Sequence, residues 1–183
     1  MKFLPTELPG VVIVEPDVHR DARGFFVETW SAPKYRAGGI EAEFVQDNHS
    51  RSLRGTLRGL HLQWPRAQAK LLRAATGELF DVAVDVRRGS PTFGRWIGVI
   101  LSAENARQLF IPPGFAHGFC VLSEYADFTY KCSDVYVPED EITVLWNDPA
   151  IGVDWPVAEP LLSPRDAKGA RLAELADRLP VYR

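Results

Sequence analysis

The sequence predicts an all-β protein, an antiparallel sandwich or barrel with short helices and a C-terminal helical segment. Short segments in which apolar and polar residues alternate recur from Val11 to Trp146, and clusters of turn-forming residues stand between them. No helical period separates one alternating segment from the next. That is the pattern of sequential antiparallel strands and not of strand–helix–strand units.

The first strand-like segments are Val11 to Val14, Gly24 to Trp30, Phe44 to Ser50, Thr56 to Gln63, Leu71 to Thr76 and Leu79 to Val86. Trp96 to Leu101, Gln108 to Ile111, Ala116 to Leu122, Phe128 to Ser133 and Thr143 to Trp146 follow. Asp21-Ala22-Arg23-Gly24, Thr76-Gly77, Arg88-Gly89-Ser90-Pro91 and Pro112-Pro113-Gly114 read as turns, because proline presets φ and glycine reaches the left-handed region. Ala32 to Arg36 is a short helical turn ended by Gly38-Gly39. Ser163 to Leu179 reads as a longer amphipathic helix, with Ser163 as N-cap, Pro164 in the first turn and Asp166 as a capping-box acid. Leu172, Leu175 and Leu179 then share one face of it. There is no internal repeat, low-complexity tract or linker composition, so residues 1–183 read as one domain.

A chain of 183 residues can bury a full core without metals or disulfides, and 46% hydrophobic with 25% charged residues is a globular composition. The net charge of −3 argues against a nucleic-acid partner, which requires a basic field. No apolar run approaches the roughly 18 residues of a membrane span, and Met1 to Pro5 does not read as a signal peptide. Cys120 and Cys132 lie in apolar strand-like stretches and read as buried, reduced thiols. A cytoplasmic protein is the expectation.

Candidate chemistry concentrates between Asp47 and Lys70. This stretch holds His49, His61, Arg51, Arg54, Arg58, Arg66 and Lys70, with Gln46 and Asn48 at its start. Such a density of cations and imidazoles on a strand-like segment is costly to bury and suits the wall of a site for a small anion. Alternation sets Gly59, His61 and Gln63 on one face and Arg58, Leu60 and Leu62 on the other, so the polar face lines a cavity. Arg58 and His61 reach one substrate only if Gly59 carries a bulge or the strand ends there. Tyr130, sharing a face with Phe128 and Cys132, is either a packing residue with its hydroxyl at a rim or a proton donor. Lys70 is either an edge charge or an electrostatic stabiliser.

Ile111 to Phe119 contains Pro-x-Gly-x-x-His, ending at His117, and resembles the second motif of the cupin jelly rolls. In metal-binding cupins the first motif carries His-x-His and a following glutamate. Here the matching place reads His61-Leu62-Gln63-Trp64-Pro65-Arg66-Ala67, without a second histidine or a carboxylate. Two imidazoles fall short of the three protein ligands usual for a catalytic metal, so the site reads as metal-free.

Taken in order, the stretches resemble the dTDP-4-dehydrorhamnose 3,5-epimerases, metal-free cupin-type jelly rolls of dTDP-L-rhamnose biosynthesis. The resemblance runs through Arg23 to Thr29, Phe44 to Ser50, Leu57 to Gln63, Gln68 to Leu71 and Gly77 to Asp85. It continues through Ser90 to Gly94, Leu101 to Asn105, Ile111 to Phe119, Phe128 to Cys132, Trp146 to Pro149 and Asp154 to Pro156. It implies inversion of C3 and C5 of dTDP-4-keto-6-deoxy-D-glucose to give dTDP-4-dehydro-L-rhamnose, without a cofactor. By the same resemblance His61 is the general base, Asp166 its orienting carboxylate, Tyr130 the general acid and Lys70 the stabiliser of the enolate oxygen. Arg23, Arg58 and His117 are implied to bind the sugar and diphosphate. Phe26, Glu28, Gln46, Asn48, Tyr136 and Glu141 are implied to surround the nucleotide, with Arg165 standing where the family usually has lysine. The family is homodimeric with exchanged first strands, which assigns Arg23 to Glu28 to the partner's site. Competing readings are an epimerase acting at only one carbon in another deoxysugar pathway, a metal-dependent cupin dioxygenase and a catalytically silent sugar-nucleotide-binding module.

Overall fold

The computed structural model describes residues 1–182. Two antiparallel sheets face one another. The first contains β1 (Lys2–Pro5), β2 (Val12–Glu15), β5 (Gln46–Leu53), β7 (Lys70–Thr76), β10 (Gln108–Ile111) and β12 (Tyr125–Cys132), in the spatial order β1-β2-β10-β7-β12-β5. The second contains β6 (Leu57–Gln63), β8 (Glu78–Asp85), β9 (Trp96–Ser102), β11 (Phe115–Val121) and β13 (Glu141–Thr143), in the order β13-β6-β11-β8-β9. A separate hairpin pairs β3 (Val18–Asp21) with β4 (Gly24–Val27) across the expected turn at Ala22 and Arg23. The helix α1 (Ala32–Ala37) lies where the short helical turn was expected and buries Tyr35.

The predicted all-β sandwich is therefore the architecture, and its strands are explained by what each face meets. On β8, Leu79 and Ala83 point between the sheets, where they join Leu72, Leu101, Leu109, Phe119 and Phe128. Phe80, Val82 and Val84 of the same strand point outward and are covered by Leu172, Leu175 and Leu179 of the C-terminal segment. A smaller cluster around Val14, Tyr35, Ile40 and Leu71 lies under α1. Each fully buried leucine contributes about 1.5–3 kcal/mol, so the leucines of the C-terminal segment hold it firmly on the sheet.

Three expectations change. The segment from Ser163 to Leu179 is not one helix but two 3-10 helices, Asp166–Lys168 and Leu172–Arg178, separated by an extended break. The reason lies at Ala170, whose N–H donates to Thr143 O and whose carbonyl accepts from Leu145 N, a short pairing that competes with helical hydrogen bonding. A side chain at Gly169 would press into the backbone of Val144 and Leu145, so glycine is needed for this approach. The strand expected over Gly24 to Trp30 ends at Val27, and that expected over Thr143 to Trp146 lies at Glu141–Thr143. Two strands, β1 and β3, carry too short an alternation to stand out in the sequence.

The expected bulge is present. His117 pairs with His61 while Phe119 pairs with Arg58, so two steps on β11 match three on β6. Gly59 makes this possible with φ +128° and a backbone approach so close that a Cβ there would stand 2.5 Å from the Gly118 Cα. Simple alternation fails at this point, and Arg58 and His61 turn to the same side.

Candidate active site

A cavity of about 390 Å³ opens between the sheets, within the range of small-molecule sites. The five-stranded sheet supplies Arg58, His61, His117 and Glu141 to its wall. The opposite, six-stranded sheet supplies Gln46, Asn48, Lys70 and Tyr130. Tyr136 and Arg165 close its mouth from connecting segments. Because the two sheets face each other, groups from β6 and from β12 address opposite sides of anything bound between them.

His61 is tied to Asp166 across 105 residues of sequence, with Nε2 2.5 Å from Oδ1. Asp166 is 3% exposed, and its Oδ2 accepts the Ser163 hydroxyl at 2.7 Å while its own N–H donates back to Ser163 Oγ at 3.1 Å. Ser163 therefore caps the turn as expected, whereas the Asp166 carboxylate is taken by His61 and the Ser163 hydroxyl and does not reach back to the Ser163 N–H as a capping-box acid would. Burial pushes its carboxyl up, but the hydrogen bonds from His61 and Ser163 outweigh burial and leave it below the usual range. A carboxylate that accepts Nε2–H leaves Nδ1 unprotonated in the neutral ring. Glu141 Oε1 lies 3.8 Å from that nitrogen.

Lys70 opens β7, an interior strand between β10 and β12, so it is not an edge charge. Burial pushes its ammonium group down from the usual lysine range, against the opposing pull of Cys132, Glu141 and Asp81. Tyr130 packs its ring 5.6 Å from Phe128 and lines the cavity, and burial pushes its phenol up, so it stays protonated at neutral pH. His117 is 7% exposed and its Nε2 lies 2.9 Å from Asp81 Oδ2.

The mouth is a braced loop. Tyr136 N–H donates to Gln46 Oε1 at 2.8 Å, and Val137 N–H donates to Gln63 Oε1 at 2.8 Å. The Tyr136 hydroxyl donates to Glu141 Oε2 at 2.5 Å, and Arg165 donates to the same carboxylate oxygen. The Tyr136 ring itself is 45% exposed, an aromatic face available for stacking. Arg58 donates from Nε to Ser52 Oγ at 3.1 Å, leaving the rest of its guanidinium fork for an anion.

Arg23, Phe26 and Glu28 are not brought into this cavity. Arg23 and Phe26 lie on the β3–β4 hairpin, where Arg23 pairs with Asp21 and Phe26 is 69% exposed, and Glu28 follows it and pairs with Lys34. The structure also gives the site three supporting residues that were not among its expected members. Ser163 holds Asp166, Gln63 braces the mouth loop and Asp81 stands behind His117. Asp81 leaves one signal in the sequence, a charged residue at an inward position of the otherwise apolar run Leu79 to Val84. Cys120 and Cys132 are buried and unpaired with each other, as expected. Among the described residues no cluster of three or more His, Cys, Asp or Glu side chains is arranged as a metal site, and His61 and His117 each engage a carboxylate through Nε2.

The family described as dTDP-4-dehydrorhamnose 3,5-epimerase matches residues 5–174. A dTDP-4-dehydrorhamnose 3,5-epimerase of Pseudomonas aeruginosa is 56% identical over 98% of this chain and 100% of its own. Among solved structures, a dTDP-6-deoxy-D-glucose-3,5-epimerase of Legionella pneumophila in complex with dTDP-4-keto-L-rhamnose superposes with a TM-score of 0.96 at 51% identity, covering 100% of this chain and 98% of that one. A 4-keto-6-deoxy sugar epimerase of the novobiocin biosynthetic gene cluster of Streptomyces spheroides superposes with a TM-score of 0.95 at 39% identity, covering 100% and 94%. With its cupin-like two-sheet fold and a match over nearly its whole length, this chain belongs to the dTDP-4-dehydrorhamnose 3,5-epimerase family.

Proposed function

We propose that this protein inverts C3 and C5 of dTDP-4-keto-6-deoxy-D-glucose to give dTDP-4-dehydro-L-rhamnose, with its own side chains and no cofactor. The observation that carries the reading is the opposition of His61 and Tyr130 across one cavity, with Lys70 on the wall beside Tyr130. A 4-keto group acidifies the protons on both neighbouring carbons. Epimerisation then needs a base on one face, a proton donor on the other and positive charge at the enolate oxygen. His61, oriented by Asp166, removes the proton through its cavity-facing nitrogen. Tyr130 returns a proton to the opposite face, and Lys70 stabilises the charge that develops on O4. Arg58 and His117 hold the sugar and diphosphate, and Gln46, Asn48, Tyr136, Glu141 and Arg165 hold the nucleotide.

The test is incubation of the purified, chelator-treated protein with dTDP-4-keto-6-deoxy-D-glucose, reading configuration from proton couplings around the ring. Product inverted at both carbons is expected. Product inverted at one carbon supports the second reading, a single-carbon epimerase of another deoxysugar pathway, which the likeness to a 3'-monoepimerase of Streptomyces bikiniensis favours, at 38% identity over 98% of this chain and 93% of that one with a TM-score of 0.91. Inversion that appears only after metal is added back would contradict the metal-free proton transfer.

The working unit in this reading is a homodimer in the cytoplasm. Phe25 and Phe26 are 61% and 69% exposed on the β3–β4 hairpin, and the outer edge of β5 has no strand partner among the described residues. An apolar hairpin and an open edge on one chain are complementary surfaces for two copies, and pairing would carry Arg23, Phe26 and Glu28 toward the other copy's site. Light scattering at micromolar concentration is expected to give twice the chain mass, and a fully active monomer would contradict this. Reduced cytoplasmic thiols suit the two buried cysteines.

A further inference from the structure

Two aspartates of β8, Asp81 and Asp85, are wholly buried, and they are treated very differently by their surroundings. Asp85 has every acceptor position used, by the Arg87 backbone and guanidinium and by the hydroxyls of Ser90 and Thr92. It is a structural anchor for the following turn. Asp81 accepts one side-chain hydrogen bond, at Oδ2 from His117 Nε2, and its Oδ1 is buried with no partner among the described residues. A buried carboxylate oxygen without a donor is costly in a fold that satisfies its neighbour so fully, so a donor for it belongs to the working site.

The register places that oxygen beside the chemistry. On β11 His117 stands directly opposite His61 of β6 on one side, and Phe119 stands opposite Asp81 of β8 on the other, so Asp81 and His117 share the inward face. His117 and Lys70 line the same cavity. We propose that Asp81 is a positioning residue for the epimerisation: its Oδ2 fixes the His117 ring, and its free Oδ1 is the counter-charge that keeps Lys70 an ammonium ion. This rests on the reading of Lys70 as the stabiliser of the enolate oxygen.

The electrostatics agree in direction. Burial lowers Lys70, and the groups that oppose it are Cys132 of β12, Glu141 of β13 and Asp81 of β8, while His117 of β11 and His61 of β6 also face the cavity. Burial pushes the Cys132 thiol up, so it is uncharged at neutral pH and offers Lys70 no counter-charge. Glu141 is already bonded to Tyr136 and Arg165. Burial pushes Asp81 up, opposed by His117 and Lys70, and burial lowers His117 so that its ring is neutral. With His117 neutral, Lys70 is the cation that favours the charged form of the Asp81 carboxyl against its burial. The sign follows: the reaction needs the protonated amine, so activity falls as pH rises through the Lys70 pKa, and removing Asp81 moves that fall to lower pH.

The experiment is Asp81→Asn, which keeps shape and a polar contact to His117 but removes the charge. The chain has five lysines, so Lys70 can be followed individually by NMR of the lysine side-chain nitrogen and adjacent carbon. The Lys70 midpoint is expected to fall by about one unit or more, with Lys2, Lys34, Lys131 and Lys168 unmoved. The alkaline limb of kcat should move to lower pH by about the same amount, with little change in KM. A Lys70 titration unchanged by Asp81→Asn overturns the proposal. This readout does not depend on turnover, so it stands apart from any failure of the epimerase reading itself. Should Asp81→Asn not yield folded protein, Lys70→Met/Asp81→Asn removes both charges together. Recovery of folded protein is then expected, and no recovery counts against the pairing.

Discussion

His61→Asn is expected to lower kcat by about a thousandfold or more and to abolish solvent exchange at both C3 and C5, since general base catalysis commonly supplies 10²–10⁴ and the other imidazole of this sheet, His117, is only 7% exposed and held by Asp81. Asparagine is chosen because it keeps an N–H donor on the side of Asp166, whose second oxygen remains bonded to Ser163. The buried carboxylate is therefore not stranded, and thermal unfolding should change little. What asparagine lacks is a basic nitrogen. The effect should appear in kcat and not chiefly in KM, because the proton is removed only on the way to the transition state. If His61→Asn still washes deuterium into C5 at a rate near that of the parent protein, the base has been misassigned.

Tyr130→Phe is expected to separate two events that are coupled in the parent protein. Phenylalanine preserves the ring contact with Phe128, so the cavity wall stays in place. It cannot donate a proton. His61, on the opposite sheet, can still remove the C5 proton and return one to the side it came from. Exchange at C5 should survive while inversion there falls by about a hundredfold or more. The raised phenol makes this consequence firm, because burial keeps Tyr130 in its donating form across the neutral range. Exchange and inversion falling together would point to damaged binding. Both surviving at the parent rate would return Tyr130 to a packing role, because loss of a rim hydroxyl costs little when water replaces it.

The fold was legible where burial has a simple period. β8 reads correctly because one face meets the inter-sheet core and the other meets the C-terminal leucines. The C-terminal segment misleads for a related reason. Leu172, Leu175 and Leu179 are all buried, and that spacing serves 3-10 helices as well as one long helix, while the break at Ala170 depends on a strand edge far away in sequence. The bulge at Gly59 lies between these cases. Its need could be argued from Arg58 and His61 having to face one ligand, but its place is fixed by the close approach of Gly118. Asp166 shows the limit most clearly. Local pattern reads it as a capping-box acid, but Ser163 does the capping and the Asp166 carboxylate is turned to His61, a bond that spans 105 residues and that no periodicity encodes. Family resemblance carried that pairing, and Asp81 went unremarked because a single acid in an apolar run has many structural explanations.

The central claim is that one cavity performs proton transfer at two carbons of one 4-keto sugar. The most direct measurement is incubation of the protein with dTDP-4-keto-6-deoxy-D-glucose in deuterated water, followed by mass and NMR analysis of the recovered sugar. The account predicts one deuterium at C3 and one at C5, each on an inverted centre. Deuterium confined to a single carbon, with the other proton and its configuration untouched, would contradict it.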